Sequence, residues 1–394
     1  MRRSYCTVPA AQVRAAANGL LCTALGLKSG PAGLSVTRIA DLLLAAAAWT
    51  CSLLAAARRL AGFPSRESVR KAIRNGLPTD PWVLERSIND GLRAHWPKRR
   101  GRGSGGDLVA IDLHQRPYYG DRATPGILNG SAKLGTKYFW TYATLVVVEP
   151  RRRWTLALAA VDNNRLETAV ARLWEYASPL DLKVRCVLLD RGFYAGPVIR
   201  WLQDHEYPFV MPAVRRGSVG NGTKGSTGTA RFFAMTQGGA FEHTWKQRGT
   251  GPEVSAHVTV VRVLAGGRRG RGRPRHRKTL VYVHSATVPG RTGRWFVRTY
   301  KRRFGIETSY RQLGEGLAST CTTDRRLRVL LVGVALLLRN VWVWLQTIQW
   351  SLAGVTRFHL TPLVDLKMAL GSQITATYTT DQLSNNSAAN NDLR

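Results

Sequence analysis

The sequence contains few acidic residues and few cysteines. Only 24 of its 394 residues are Asp or Glu, against 58 Lys or Arg, so the formal net charge at pH 7 is +34. An enzyme that acts on small neutral molecules has no use for such an excess, whereas a polyanion binds it through many phosphate contacts. The five cysteines are far apart and include no Cys-x-x-Cys pair, so neither a disulfide framework nor a zinc site is predicted.

Long apolar segments are also scarce. The uncharged run from residue 42 to 57 is rich in alanine and shorter than the roughly 20 residues that a membrane-spanning helix requires. The run from residue 329 to 345 is interrupted by Arg339 and Asn340. We therefore interpret each run as a buried helix and expect no membrane partner. A hydrophobic content of 44% predicts a folded chain.

The first half of the chain changes its pattern twice. Residues 1–97 are rich in Ala, Leu and Arg, which predicts an all-α domain, and the basic, glycine-rich residues 98–106 predict a linker. Residues 107–213 read as three strands, a helix, a strand and a helix. This is the order of elements in an RNase H-like domain.

The second half changes again. Glycine-rich loops separate β-like runs in residues 214–290, which indicates a β-rich insertion, and residues 291–350 return to helical spacing as the second part of the interrupted domain. The C-terminal segment 351–394 is predicted to be disordered from about residue 371 because of its polar composition. The expected fold class is therefore α/β: an RNase H-like catalytic domain interrupted by a β-rich insertion and preceded by an all-α domain.

Three acidic residues stand where a chain poor in acids should place few of them. Asp112 interrupts an apolar strand, Asp190 ends another, and Glu307 lies on a predicted helix after the insertion. Carboxyl ends of strands form the edge of a sheet at which active sites lie. Each acid alone also has an ordinary explanation: a turn cap for Asp112, an Asx turn or helix cap for Asp190 and a surface ion pair for Glu307.

The predicted helix around Glu307 carries further polar residues. Tyr300, Arg303, Glu307 and Arg311 are separated by three, four and four residues, which places them on one helix face. Two strand aspartates and one helix glutamate are ligands that can hold two divalent cations for in-line displacement at phosphorus. Their hard oxygen atoms favour Mg²⁺ or Mn²⁺.

In this combination the sequence resembles the DDE transposases of bacterial and archaeal insertion sequences, of the cut-and-paste type with a Tyr-Arg-Glu-Lys signature. The resemblance rests on Asp112, on the block from Asp190 to Tyr194 and on the spacing of Tyr300, Arg303 and Glu307. One position departs from the pattern.

The signature lysine, seven residues after the glutamate, is Gly314 in this chain. Arg311 lies one helical turn earlier and can take over the phosphate contact.

The resemblance implies a transposase that cleaves double-stranded DNA at element ends and transfers the strand into target DNA. Asp112, Asp190 and Glu307 would be both catalytic residues and ligands of two Mg²⁺ or Mn²⁺ ions, while Tyr300 and Arg303 would hold the DNA end. A homodimer on DNA and a cytoplasmic, nucleoid-associated location are expected. The alternatives are an RNase H-like nuclease without strand transfer and a catalytically inert, domesticated DNA-binding protein.

Two further segments are candidates for DNA contact. Residues 52–60 and 65–73 predict two helices around a tight turn, with Arg66, Arg70 and Arg74 on the outer face of the second. This resembles a helix-turn-helix motif whose second helix reads the major groove. An ordinary αα-hairpin in a basic domain is the alternative.

The second segment is the cation-rich run from residue 268 to 278, predicted to be a loop between two strands. It contains Arg271, Arg273 and Arg275 interleaved with glycine and proline. The five residues 270–274 resemble the core of an AT-hook, which lies in a narrow A·T minor groove. Contact with phosphates regardless of sequence is the other interpretation.

Overall fold

The computed structural model describes residues 9–25, 29, 34–96, 105–149, 152–218, 220, 225–245, 253–265, 276–288, 292–303, 316–352 and 363–391. Within them, helices occupy both ends of the chain and most of the strands lie between. The helices before the first strand are α1 (Ala10–Ala24), α2 (Val36–Ala48), α3 (Leu53–Arg59), α4 (Arg66–Gly76) and α5 (Pro81–Ala94).

Serine residues set the starts of three of these helices. Ser35, Ser52 and Ser65 each accept a hydrogen bond from the backbone N–H three residues later, which satisfies a free donor of the first turn. The cap at Ser52 begins a new helix within the uncharged run 42–57. The interpretation of that run as one helix is therefore wrong: α2 and α3 meet at a bend of 106°.

The strands in the described part of the chain form one mixed sheet. They are β1 (Asp107–Pro117), β2 (Leu128–Lys133), β3 (Thr136–Glu149), β4 (Arg152–Val161), β5 (Val184–Leu189), β6 (Phe209–Pro212), β7 (Gly239–Trp245), β8 (Val254–Ala265) and β9 (His276–His284). The strand order is β2-β3-β1-β5-β6-β9-β8-β7, and β4 also pairs with β3. Strand β3 lies between β1 and β4 and is antiparallel to both. Strand β5 is parallel to β1, and β6 is parallel to β5. The predicted α/β fold is confirmed, and the strand order is the one expected of an RNase H-like core.

The insertion is β-rich as expected, but its strands extend the main sheet. Strands β7, β8 and β9 are antiparallel neighbours, and β9 pairs antiparallel with β6. In this way the insertion covers the backbone edge that β6 would otherwise expose.

Helices cover both faces of the sheet. Those between β4 and the C-terminal region are α6 (Leu166–Ala177), α7 (Gly196–Asp204), the short α8 (Ala230–Ala234) and α9 (Gly293–Lys301). Side chains alternate along β1: Val109 and Ile111 pack with α6 and α7, whereas Leu108 and Ala110 pack on the opposite face with α9. Asp112 continues the second series, so it belongs to the face that α9 covers.

The last two described helices complete the helical core. Helices α10 (Arg325–Leu352) and α11 (Leu363–Asn391) share one hydrophobic cluster with α1 to α5. The N-terminal helices therefore have no core of their own. The stretch Arg325–Ile348 is long and apolar enough to cross a membrane, but 94% of its apolar window is buried inside the protein.

Polar side chains fasten this helical core to the outer edge of β4. Asn89 donates to the carbonyl of Leu158 at 2.8 Å and accepts from its N–H at 2.7 Å. One helical turn away, Glu85 accepts from the N–H of Ala160 at 2.7 Å. Asn340 of α10 makes the same two-way contact with Thr155. These three side chains replace the neighbouring strand that an edge strand lacks.

The predicted disorder beyond residue 371 is wrong for residues 371 to 391, which belong to α11. The physical reason is a buried polar cluster at Asp41 of α2. Its carboxylate accepts hydrogen bonds from Arg14 at 2.6 Å and 3.1 Å, from Asn18 at 2.8 Å and from the hydroxyl of Tyr378 at 3.1 Å. Leu370, Ile374 and Tyr378 are buried and form an apolar stripe along the helix. The mean polarity of the whole segment conceals this stripe.

We predict that Tyr378→Phe lowers the free energy of unfolding by about 1–3 kcal/mol, because Asp41 loses a buried donor while the ring remains. Chemical denaturation measures this change. Thr379→Ala, at the exposed neighbouring position, is the matched control and should change stability little. Equal stability of Tyr378→Phe and the native chain would contradict the role given to this hydrogen bond.

Candidate active site

Asp112 and Asp190 lie side by side at the carboxyl edge of the sheet. Strands β1 and β5 are parallel, and Ile111 pairs with Leu189. Asp112 follows Ile111 and Asp190 follows Leu189, so the two aspartates are neighbours. The side chain of Asp112 is 7% exposed and that of Asp190 is 37% exposed. The structure thus brings together the two acids that the sequence singled out.

One cation binds both carboxylates. The guanidinium of Arg303 donates to Oδ2 of Asp112 at 3.1 Å and lies 3.2 Å from Oδ1 of Asp190 through its other terminal nitrogen. Arg303 is itself buried. The second carboxylate oxygen of Asp112 accepts from the N–H of Leu113 at 2.9 Å. Because two anions at one edge repel each other, this guanidinium is what makes their proximity tolerable.

The ring of Tyr300 packs against the Arg303 guanidinium. The centre of the Arg303 guanidinium lies 5.3 Å from the Tyr300 ring centroid, a cation–π distance. The Tyr300 hydroxyl donates to the carbonyl of Leu189 at 3.3 Å. Burial raises the pKa of Tyr300 well above its usual range, so the phenol keeps its proton and remains a donor.

Arg303 lies just beyond the end of α9. Its N–H donates to the carbonyl of Tyr300 at 2.9 Å, which continues the helical turn by one residue. The structure therefore describes the predicted helix up to Lys301, the last residue of α9, and the turn that follows it up to Arg303. Glu307, Arg311 and Gly314 lie outside the described residues, as do Arg271, Arg273 and Arg275 of the proposed hook. The hairpin that would carry the hook is present, with Ala265 paired to His276.

His114 follows Asp112 on the same strand and is half-buried. Burial, with a smaller contribution from Arg116 and Lys133, lowers its pKa to about 3, so the ring is neutral at ordinary pH. No group of three or more His, Cys, Asp or Glu side chains in the described ranges is arranged to hold a metal ion. The third acid of the predicted site, Glu307, falls outside those ranges.

The outer face of α4 is basic, as the sequence predicts. Arg66, Arg70 and Arg74 are exposed, while Val69 and Ile73 pack inward. Arg70 pairs with Glu67 at 2.7 Å, and this hydrogen bond lowers the pKa of the Glu67 carboxyl. A cleft of about 430 Å³ beside this face is lined in part by Lys71 and Arg326 as well.

Sequence reasoning assigned Arg303 to DNA and missed its contact with the two aspartates. The three-residue spacing between Tyr300 and Arg303 indicates that they share a helix face, but it does not show which residues that face contacts. The strand alternation that puts Asp112 on the side of α9 carries the missing information.

The sheet order defines an α/β protein, and two carboxylates lie together at the carboxyl edge of its sheet. Residues 105–340 match the family model described as "Transposase DDE domain", which is more than half of the chain. The protein therefore belongs to the DDE transposase domain family and is a DNA transposase. Domains of this family use divalent metal ions.

Among solved structures, the chain is similar to one described as a "piggyBac transposase synaptic complex with hairpin DNA". The two share 14% identity with a TM-score of 0.49, and the match covers 97% of this chain and 76% of that chain. Comparison with curated proteins found no match.

We predict that Arg303→Gln lowers the free energy of unfolding by about 3 kcal/mol when a chelator is present, because Asp112 is left buried beside Asp190 without a counter-charge. Thermal or denaturant unfolding measures this change. Arg302→Gln alters the exposed neighbour and serves as the control. A loss no larger than that of the control would show that the guanidinium does not stabilise the two acids.

Proposed function

We propose that Asp112, Asp190 and Glu307 form the catalytic centre of this transposase and hold two Mg²⁺ or Mn²⁺ ions. The observation that supports this is the shared cation of Asp112 and Asp190, since their carboxylate oxygens already converge on one positive group at 3.1 Å and 3.2 Å. Hard oxygen donors at such an edge fit Mg²⁺ or Mn²⁺. When bound, these ions activate water or a 3′-hydroxyl and stabilise the departing oxygen.

The residues around the carboxylates have roles of their own in this proposal. Asp112 is fixed by the N–H of Leu113, which leaves its other oxygen directed at the centre. Tyr300 and Arg303 hold the DNA end together: the guanidinium binds a phosphate oxygen, and the buried Tyr300 ring holds the guanidinium in place through the cation–π contact. Arg303 therefore has two anionic partners in turn, the aspartates in the free protein and a phosphate in the complex.

The reaction proposed is cleavage at the ends of an insertion element followed by strand transfer into target DNA, by a homodimer that joins two ends. A nuclease of the same fold is the other candidate. Incubating pre-cleaved ends with plasmid distinguishes the two, because joined products require attack by a 3′-hydroxyl and hydrolysis alone does not produce them.

We predict that Asp112→Asn or Asp190→Asn reduces Mg²⁺-dependent DNA cleavage on the order of 10⁴-fold, while DNA affinity stays within a few-fold of the native value. Asparagine keeps the shape of the side chain but removes the charge that a divalent ion needs. Gel assays of cleavage and fluorescence anisotropy of binding measure the two quantities. Asp204→Asn, at an exposed position on α7, is the control. Native cleavage by either variant would remove that residue from the centre.

The exposed face of α4 is proposed to contact DNA as the second helix of a helix-turn-helix. Changing Arg66, Arg70 and Arg74 together to alanine should weaken binding and reduce the slope of log affinity against log salt by up to about 2.7, at about 0.9 per phosphate contact. Salt titrations by anisotropy measure this slope. Arg86→Ala on α5 is the single-site control.

Affinity for element ends and for unrelated duplexes should be compared. A loss confined to element ends indicates base reading, and an equal loss indicates phosphate contact alone. An unchanged salt slope would exclude α4 from the interface.

A further inference from the structure

The turn between β2 and β3 contains Leu134. The backbone conformation there disfavours leucine, and the side chain is not buried. Leu134 and Gly135 join the two strands, and both have positive φ, at 50° and 79°. Such two-residue turns favour Asn-Gly or Asp-Gly, because asparagine, aspartate and glycine tolerate the left-handed region. A leucine there is strained, because its Cβ lies too close to the following carbonyl oxygen.

The Leu134 side chain gains nothing from the fold in return. It is 79% exposed, the highest value among the large apolar residues found exposed in the described chain. Tyr119, which is 70% exposed, donates its hydroxyl to the Leu134 carbonyl at 2.7 Å. The hairpin tip is thus a small apolar projection, formed by two large side chains and held in shape by one hydrogen bond.

Two lysines lie beside this projection. Lys133 and Lys137 flank the turn and are exposed, and Lys133 donates to the side chain of Gln115 at 3.3 Å. Arg122 is exposed in the loop after β1, where Asp121 is the neighbouring acid. An apolar tip between cations matches the grooves of DNA, in which stacked bases lie between two rows of phosphates.

The tip also lies at the catalytic end of the sheet. Strand β1 runs from Asp112, paired with Thr144, toward Pro117, paired with Phe139, and β3 starts at Thr136 beside the tip. From Thr144 to Thr136 is a rise of roughly 26 Å at about 3.3 Å per residue. This corresponds to about eight base pairs of duplex at about 3.4 Å each.

We propose that Leu134 is a wedge that inserts between base pairs of bound DNA and unstacks them within about eight base pairs of the reacting phosphate. Tyr119 stiffens the turn and covers the adjacent base, and Lys133 and Lys137 bind the flanking phosphates. The position relative to the reacting phosphate rests on the proposed function, whereas the insertion itself does not.

The test measures unstacking by the fluorescence of 2-aminopurine. Duplexes tiled over the DNA that flanks this protein's gene carry 2-aminopurine at successive adenines, and the native chain should raise the emission at one step. Leu134→Asn should abolish that rise and weaken binding about tenfold, the value expected for losing one buried leucine. The same change creates an Asn-Gly turn, so its melting temperature should equal or exceed the native one. Loss of DNA distortion is thereby separated from loss of folding.

Three further variants complete the design. Leu134→Phe keeps an apolar wedge and should keep the unstacking signal, and Met368→Gln, which changes another exposed apolar side chain, should behave as native. Asp112→Asn should also unstack DNA, so failure of the catalytic proposal, seen as cleavage by that variant, is distinct from failure of the wedge. The wedge is overturned if the native chain unstacks no step, or if Leu134→Asn distorts DNA as the native chain does. It is also overturned if Leu134→Asn weakens binding to phosphatidylserine vesicles and leaves DNA binding unchanged.

Discussion

The structure depends on keeping two carboxylates close together at one edge of the sheet. Parallel pairing of β1 with β5 fixes Asp112 and Asp190 side by side, and repulsion between them must be offset before the sheet is stable. Arg303 supplies the positive charge from the end of α9. This requirement explains the path of the chain: after the insertion it must return to the face of the sheet on which Leu108 and Ala110 lie, because Asp112 points to the same side.

Two strands of the same sheet, β6 and β4, would otherwise expose backbone groups, and the chain satisfies each by different means. Beyond β6, the antiparallel strands β9, β8 and β7 continue the ladder. At β4, helices α5 and α10 present Asn89, Glu85 and Asn340 to the strand's N–H and C=O groups. A helix that substitutes for a strand in this way must be held rigidly, which accounts for the single core shared by the first five and the last two described helices.

How much of this was predictable from the sequence depends on the range of the interaction. The strands around Asp112 and Asp190, the serine-capped helices and the exposed arginines of α4 follow from patterns a few residues long. Contacts between distant segments do not: the pairing of Arg303 with Asp112 spans 191 residues and that of Tyr378 with Asp41 spans 337. The prediction of disorder beyond residue 371 is wrong for this reason, since averaged polarity cannot show that one tyrosine contacts a buried carboxylate.

The shortage of acidic residues acquires a structural meaning when their positions are considered. Asp41, Glu85, Asp107, Asp112 and Glu149 are buried in the described part of the chain. Several of them pair with arginine, as Asp41 does with Arg14 and Glu149 with Arg152. Each buried acid is removed from the surface, where it would offset a lysine or arginine facing solvent. Arginine is buried as well, at Arg303, Arg328 and Arg339, and the excess of 58 cations over 24 acids is what makes the surface positive. Attraction by charge carries no sequence information, so under the proposed function selection among DNA sites has to come from contacts with base edges, for which the exposed face of α4 is the proposed candidate.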